Sequence, residues 1–166
     1  MKWSLPQFSG VTRAFLVMLL FAASSSLGQT SPLSQKETQS ALWDAAMSGD
    51  VAALEKAIND GANVNALDIR TSRNGRRPLN WAALYNHPEA ISLLLRNSAD
   101  IDGMNFSGFT PVHHAAEAGS PDAARVLIEA GADVNLPSYE GQTPLQRARK
   151  ECHKEVVLLL EAVGAK

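Results

Sequence analysis

Few residues in this 166-residue chain combine the type and spacing that chemistry needs. The adjacent pair His113-His114 is the first candidate for metal ligation or proton transfer, but neighbouring residues on a helix do not share a face. His87 and His153 stand in the strings "NHPE" and "CHKE", too far from each other and from the pair in sequence to read as a ligand cluster. Cys152 is the sole cysteine, so no disulfide can form within the chain. It reads as a half-buried small apolar residue where a first helix ends, though a lone thiol outside a reducing compartment could also pair with another chain. Gly108 and Gly141 are isolated turn glycines, not a phosphate-cradling loop, and Asp60, Asp100, Asp102 and Asp133 recur too regularly to be a carboxylate pair. No catalytic residue, metal site or cofactor is therefore expected.

Two other groups suit binding rather than catalysis. Arg70, Arg73, Arg76 and Arg77 fall within eight residues, and guanidinium groups suit bidentate contact with carboxylates or phosphates. Trp3, Phe8, Phe15 and Phe21 lie in the first 28 residues; among the other aromatics are Tyr85, Phe106, Phe109 and Tyr139. Aromatic side chains are enriched where interfaces are energetically concentrated.

The elements that must hold these residues are set by a period. Arg77-Pro78-Leu79, Thr110-Pro111-Val112 and Thr143-Pro144-Leu145 follow one another at 33 positions. Each unit ends in a related string: Gly61-Ala62-Asn63-Val64-Asn65, Ser98-Ala99-Asp100-Ile101-Asp102 and Gly131-Ala132-Asp133-Val134-Asn135, with Gly164-Ala165 last. Self-similarity at this period means stacked supersecondary units rather than one globular core. Thr110 and Thr143 offer side-chain oxygens where a helix N-cap is needed, and Pro111 and Pro144 follow where a missing N–H costs nothing. Ala45-Ala46, Ala82-Ala83 and Ala115-Ala116 keep one helix face thin for close packing. Ridges such as Ile91, Leu93, Leu94 and Leu95 cannot be buried within one unit, so neighbours must stack.

This pattern resembles the ankyrin repeat, a β-turn finger followed by two antiparallel helices, and the string from Asn105 to Asn135 carries the likeness most fully. The resemblance implies an all-α solenoid of four units over residues 38–166: 38–67, 68–104, 105–136 and 137–166. The first, lacking Thr-Pro, and the fourth, with Arg149 replacing the second small alanine, are expected to be caps. The interval from Gly61 to Ser98 is four residues longer than the period, and the excess falls in Asp68–Arg77. In the family His113 would tie one turn to the next, His87 and His153 would belong to the Gly-His-x-Glu turn, and Trp43 and Trp81 would pack against turns or an end of the stack.

The resemblance also implies function: partners dock on the concave side formed by turn tips and first helices. Carried over residue by residue, that side includes Tyr85, Phe106, Phe109, Tyr139 and Glu117, alongside positions such as Met47, Leu84, Glu140 and Lys150; the extended turn adds Arg70, Arg73 and Arg76 as a second candidate contact. Phe106 and Phe109 could instead pack against neighbouring turns, and the arginines could simply be solvated. The expectation is a monomeric, non-enzymatic module with a protein partner.

Residues 1–28 read as an address. Lys2 and Arg13 precede the apolar run "AFLVMLLFAA", and small residues lead to Gly28, so a secretory signal peptide cut after Gly28 is expected. The run is shorter than the roughly 20 residues of a spanning helix, which argues against stable membrane insertion after cleavage, the alternative being an uncleaved anchor. Residues 29–37 read as a polar linker. Loss of residues 1–28 removes Lys2 and Arg13 and no acid, taking the net charge from −2 to −4, a poor match to nucleic acid. The chain resembles small bacterial periplasmic ankyrin proteins, and export to the periplasm is expected, with extracellular release as a variant. The competing function is a secreted effector acting on host proteins.

Overall fold

A computed structural model describes residues 32–70 and 74–166. The repeats lie in one compact unit, Gln35–Lys166. The described residues form eight helices and no named strand: α1 (Pro32–Ser48), α2 (Val51–Asn59), α3 (Pro78–Leu84), α4 (Pro88–Arg96), α5 (Pro111–Ala118), α6 (Pro121–Glu129), α7 (Pro144–Lys150) and α8 (Lys154–Ala162). Odd-numbered helices are the first helices of the units and even-numbered ones the second. α3, α5 and α7 stack in one layer and α2, α4, α6 and α8 in the other, each pair α3·α4, α5·α6 and α7·α8 joining the layers. This is the expected all-α repeat solenoid.

The alanine pairs do what their size suggests. Ala82, Ala83, Ala115 and Ala116 have no solvent exposure, and Ala45 and Ala46 almost none. The second-helix ridges supply the larger side chains of the same continuous core, including Leu54, Ile91, Leu94, Leu127, Val156 and Leu160. In the fourth unit Arg149 takes the place of Ala116 and pairs with Glu161 at 2.6 Å, so a charged pair faces the position where a further unit would stack.

Thr110 and Thr143 cap α5 and α7: their hydroxyls accept from His113 N and Gln146 N. In the second unit the cap is reversed, with the Arg77 N–H donating to Asn80 Oδ1 at 2.8 Å. The unit-ending strings are laced together by side chains. Asn65 Oδ1 accepts from Asp100 N, Asp102 Oδ1 from Asp133 N and Asn135 Oδ1 from Lys166 N, all within 3.0 Å. The recurrent Asp and Asn residues are thus turn-building groups, as their period suggests.

Residues 32–37, read as part of a linker, are helical and extend α1. The segment is polar but free of glycine, opens with proline at the first helical position and continues with Gln, Lys and Glu, which favour helix. The proposed leader, 1–28, lies outside the described residues, as does Arg73. Among the described residues no helix is long and apolar enough to cross a membrane.

Candidate interaction surface

The four extra residues lie inside the first finger. The finger is closed by pairing of Asp68 with Arg76, and Asp68 N donates to Arg76 O at 2.7 Å. Asn105 N to Phe109 O and Ser138 N to Gln142 O are the equivalent closures of the next two fingers. Asn105 builds the second finger from within, since its Oδ1 accepts from both Ser107 N and Phe109 N at 2.9 Å.

That geometry fixes the state of the histidine pair. Because Asn105 Oδ1 is occupied by two N–H donors, its Nδ2 must be the donor toward His114 Nε2, 3.3 Å away. His114 is therefore a neutral imidazole protonated on Nδ1, which faces Glu117 Oε2 at 3.3 Å, off the line of a well-formed hydrogen bond. His113 carries the opposite tautomer. Its Nδ1 accepts from Thr110 N, so Nε2–H donates to Gln142 O at 2.9 Å. His113 thus ties the second finger to the third, as the resemblance implies. Burial pushes both imidazoles toward lower pKa. Neither residue is exposed, and among the described residues no group of His, Cys, Asp and Glu is placed to hold a metal ion.

Of the expected contact residues, Phe109 and Glu117 come together in one cluster. Phe109 is half-buried, stacked on His113 at 5.1 Å and edge-on to His114 at 5.8 Å, with the Arg147 guanidinium 5.4 Å from its ring centre. Arg147 also pairs with Glu117 at 2.5 Å. The His114 imidazole beside it, together with Arg147, holds the Glu117 carboxyl down at about 2 despite partial burial. Phe109 and Glu117 are thus engaged within the chain, the packing alternative for Phe109. Arg147, which completes the cluster, escaped the sequence reading; its one signal was register, since it stands 33 residues after His114.

Of the arginine cluster, Arg70 and Arg77 are engaged within the chain. Arg70 pairs with Asp68 at 3.0 Å and Asp44 at 2.9 Å, contacts the Ser40 hydroxyl and lies 4.8 Å from the centre of the Trp43 ring. Arg77 donates to Asn65 O and Met104 O. Arg76 lies over Trp81 at 4.7 Å without a carboxylate partner among the described residues. Arg70 and Arg77 are thus engaged by groups of the chain itself. Sequence reasoning missed that Asp44 and Asp68 supply the acid internally. Trp43 and Trp81 are buried, and Trp43 Nε1 donates to Ala66 O.

Three aromatic rings remain outward. Tyr85 is 51 % exposed, Phe106 54 % and Tyr139 73 %. Each is nevertheless positioned. Tyr85 stacks on buried Trp81, 6.0 Å centre to centre with planes 11° apart. Phe106 N donates to Asn74 O at 2.9 Å and Tyr139 N to Ser107 O at 3.2 Å, joining successive fingers. Away from these rings, a shallow cavity of about 410 Å³ is lined by Arg149, Cys152, Lys154, Val157 and Leu158 of the last unit, and Cys152, read from sequence as half-buried, is exposed in the turn after α7 with φ 61°.

The finger and helix-pair geometry repeats with the sequence period, and the family model described as "Ankyrin repeats (3 copies)" matches residues 13–105 and 97–166. The chain belongs to the ankyrin-repeat family. Similar proteins include ankyrin repeat domain-containing protein 40 of Homo sapiens, 36 % identical over 76 residues, covering 46 % of this chain and 20 % of that protein. The Mus musculus counterpart matches to the same extent. Ankyrin repeat domain-containing protein SAT10 of Stachybotrys chartarum is 38 % identical over 64 residues, 39 % of this chain and 3 % of that protein. The match thus spans a fifth or less of these relatives. The repeats indicate a protein–protein interaction module.

Proposed function

We propose that this ankyrin protein is a non-enzymatic, monomeric adaptor that acts outside the cytoplasm, in the periplasm, by binding a partner protein on its finger and first-helix surface. The observation that carries the reading is the set Tyr85, Phe106 and Tyr139: rings more than half exposed, each seated by a stacking or main-chain contact. Pre-positioned aromatics lose little conformational entropy on binding and bring a large apolar contact area. The proposed contact set is Tyr85, Phe106, Tyr139 and Arg76, together with Arg73, which lies outside the described residues. The place of action rests on the leader-like residues 1–28. A role in supporting a partner enzyme or envelope component fits a module with no chemistry of its own.

The test is affinity capture from the envelope fraction of the source organism, with the chain tagged at its C-terminus, beside a Tyr85→Ala/Phe106→Ala/Tyr139→Ala variant. One protein enriched by the parent chain and lost by a variant of near-normal stability supports the reading. Equal capture by both sinks it. N-terminal sequencing of the exported protein should begin at Gln29; a chain confined to the cytoplasm with Met1 retained overturns the proposed location.

A further inference from the structure

The fingers are joined by a contact that occurs twice and stands open a third time. The Phe106 ring lies over Gly75, so close that a Cβ there would come within 2.5 Å of it. One repeat later the Tyr139 ring lies over Gly108, 2.7 Å from the equivalent Cβ position. Both glycines have positive φ, 56° and 77°, and both rings belong to a residue whose N–H donates to the main chain of the preceding finger, at Asn74 O and Ser107 O. Gly141 is the next member of the series, with φ 78° and the same turn bond, Gly141 N to Ser138 O. Among the described residues nothing lies within 4 Å of its Cβ position, and no main-chain donor reaches Glu140 O, the counterpart of Asn74 O and Ser107 O.

We propose that the Glu140–Gly141 edge is a docking site for a turn of a partner protein that presents an aromatic ring to Gly141 and its own N–H to Glu140 O. The two interior copies of the contact define the occupant: a flat ring, because the bare glycine is a flat platform, and a free N–H on the same residue. A second copy of this chain is a poor fit. Its leading finger carries Arg73 at the aromatic position, and the Arg149–Glu161 pair stands where the apolar helices of another unit would have to pack. The edge is therefore open to a finger-like turn and unfavourable for a whole further repeat. This inference rests on the protein-binding reading and supplies the chemistry of one contact within it.

The probe is a disulfide-cyclised peptide copying residues 136–143, the turn whose Tyr139 covers Gly108, titrated into the isotope-labelled full chain and followed by NMR. Saturable shifts at Glu140 and Gly141, with an upfield ring-current shift of the Gly141 α-protons, are expected; they should vanish with the peptide's Tyr139→Ala form and with a Gly141→Asn protein, since Asn tolerates positive φ but obstructs the platform. Absence of shifts at Glu140 and Gly141, or equal shifts from the Tyr and Ala peptides, overturns the inference. If the peptide fails while the Tyr85/Phe106/Tyr139 variant still loses its captured partner, the edge alone is wrong. If that variant captures normally, the broader reading fails whatever the peptide does.

Discussion

The imidazole of His153 occupies the space in which a side chain at Gly119 would begin, its Nδ1 lying 2.4 Å from the Cβ position. From there His153 Nε2 reaches Glu117 O at 3.1 Å and so fastens the fourth repeat to the third. His87 sits on Gly49 in the same way and reaches Met47 O at 3.0 Å. The intervening junction solves the problem differently. Asn86 stands at the glycine position with φ 57°, and the smaller Ser120 replaces histidine, its hydroxyl donating to Leu84 O at 3.2 Å. Size is conserved across the pair: Gly with His, Asn with Ser.

A side chain at residue 119 must therefore displace His153 and adopt a left-handed backbone. Gly119→Ala is expected to cost about 2–4 kcal/mol, the sum of a left-handed penalty and a local overpacking term. The double change Gly119→Asn/His153→Ser, which copies the Asn86–Ser120 junction, should recover most of that loss relative to Gly119→Asn alone. Urea unfolding of the parent, Gly119→Asn, His153→Ser and the double variant forms the cycle. If the two changes simply add, the paired-size account is wrong.

Phe106 and Phe109 stand three residues apart on one finger and should behave oppositely. Phe109 is wedged among His113, His114 and Arg147, and its replacement by alanine should destabilise the fold by roughly 2–3 kcal/mol, less than a fully buried phenylalanine. Phe106→Ala removes a ring that is half in water and should cost no more than about 1 kcal/mol. Thermal melts decide this directly, and a larger loss for Phe106 would reverse the assignment of anchor and contact.

The contrast shows where sequence was informative. The period, caps, alanine pairs and string-ending Asp and Asn residues are local or strictly repeated, so each could be read from one unit and checked in the next. The fastening role of His113 is what the family resemblance implies. Which exposed-position residue is used internally is another matter. Phe109 meets Arg147 38 residues on, and Arg70 meets Asp44 26 residues back. Such pairings depend on how side chains lean across a junction, and no period dictates that. The helical residues 32–37 differ for another reason: polarity suggests a linker, but helix propensity and polarity are separate properties.

Acid should loosen the second finger before the rest. His114 is buried, its Nε2 accepts from Asn105, and the charged groups around it are Glu117, Arg147 and Arg76, with His113 adjacent. Burial lowers its pKa, so below the ordinary value of 6.5 the unfolded state binds the proton more readily, and stability falls as pH drops from there toward the folded pKa. His113 acts in the same direction. Glu117, held at about 2 against 4.5 when unfolded, contributes stability above pH 4.5 that is lost between 4.5 and 2. Urea midpoints should thus fall in two stages on acidification, the first lessened by His114→Gln. Hydrogen exchange at Ser107 and Phe109, whose N–H groups depend on Asn105, should quicken in the first stage; midpoints flat from pH 7 to pH 5 would contradict the account.

Arg70 offers the sharpest separation of fold from binding, because sequence placed it among the contacts and the structure places it in the frame. The Asp68 side chain is fully buried, and its carboxylate accepts from Arg70 Nε, Nη2 and N at 3.0–3.1 Å. Burial alone would raise the Asp68 pKa; the arginine contacts outweigh it and hold the carboxyl below its ordinary value of 3.8. Arg70→Ala strands that carboxylate and should cost on the order of 3 kcal/mol near neutral pH. Adding Asp68→Asn removes the stranded charge and should restore a large part of the loss. The single variant's deficit should also shrink as pH falls and Asp68 takes up a proton, whereas the parent, whose Asp68 pKa is depressed, loses this contribution as pH drops through that lowered value. Guanidinium unfolding at pH 7 and pH 4 on the parent, the two single variants and the double variant measures all of this. A folded, fully stable Arg70→Ala protein that has lost its partner would return Arg70 to the interaction surface.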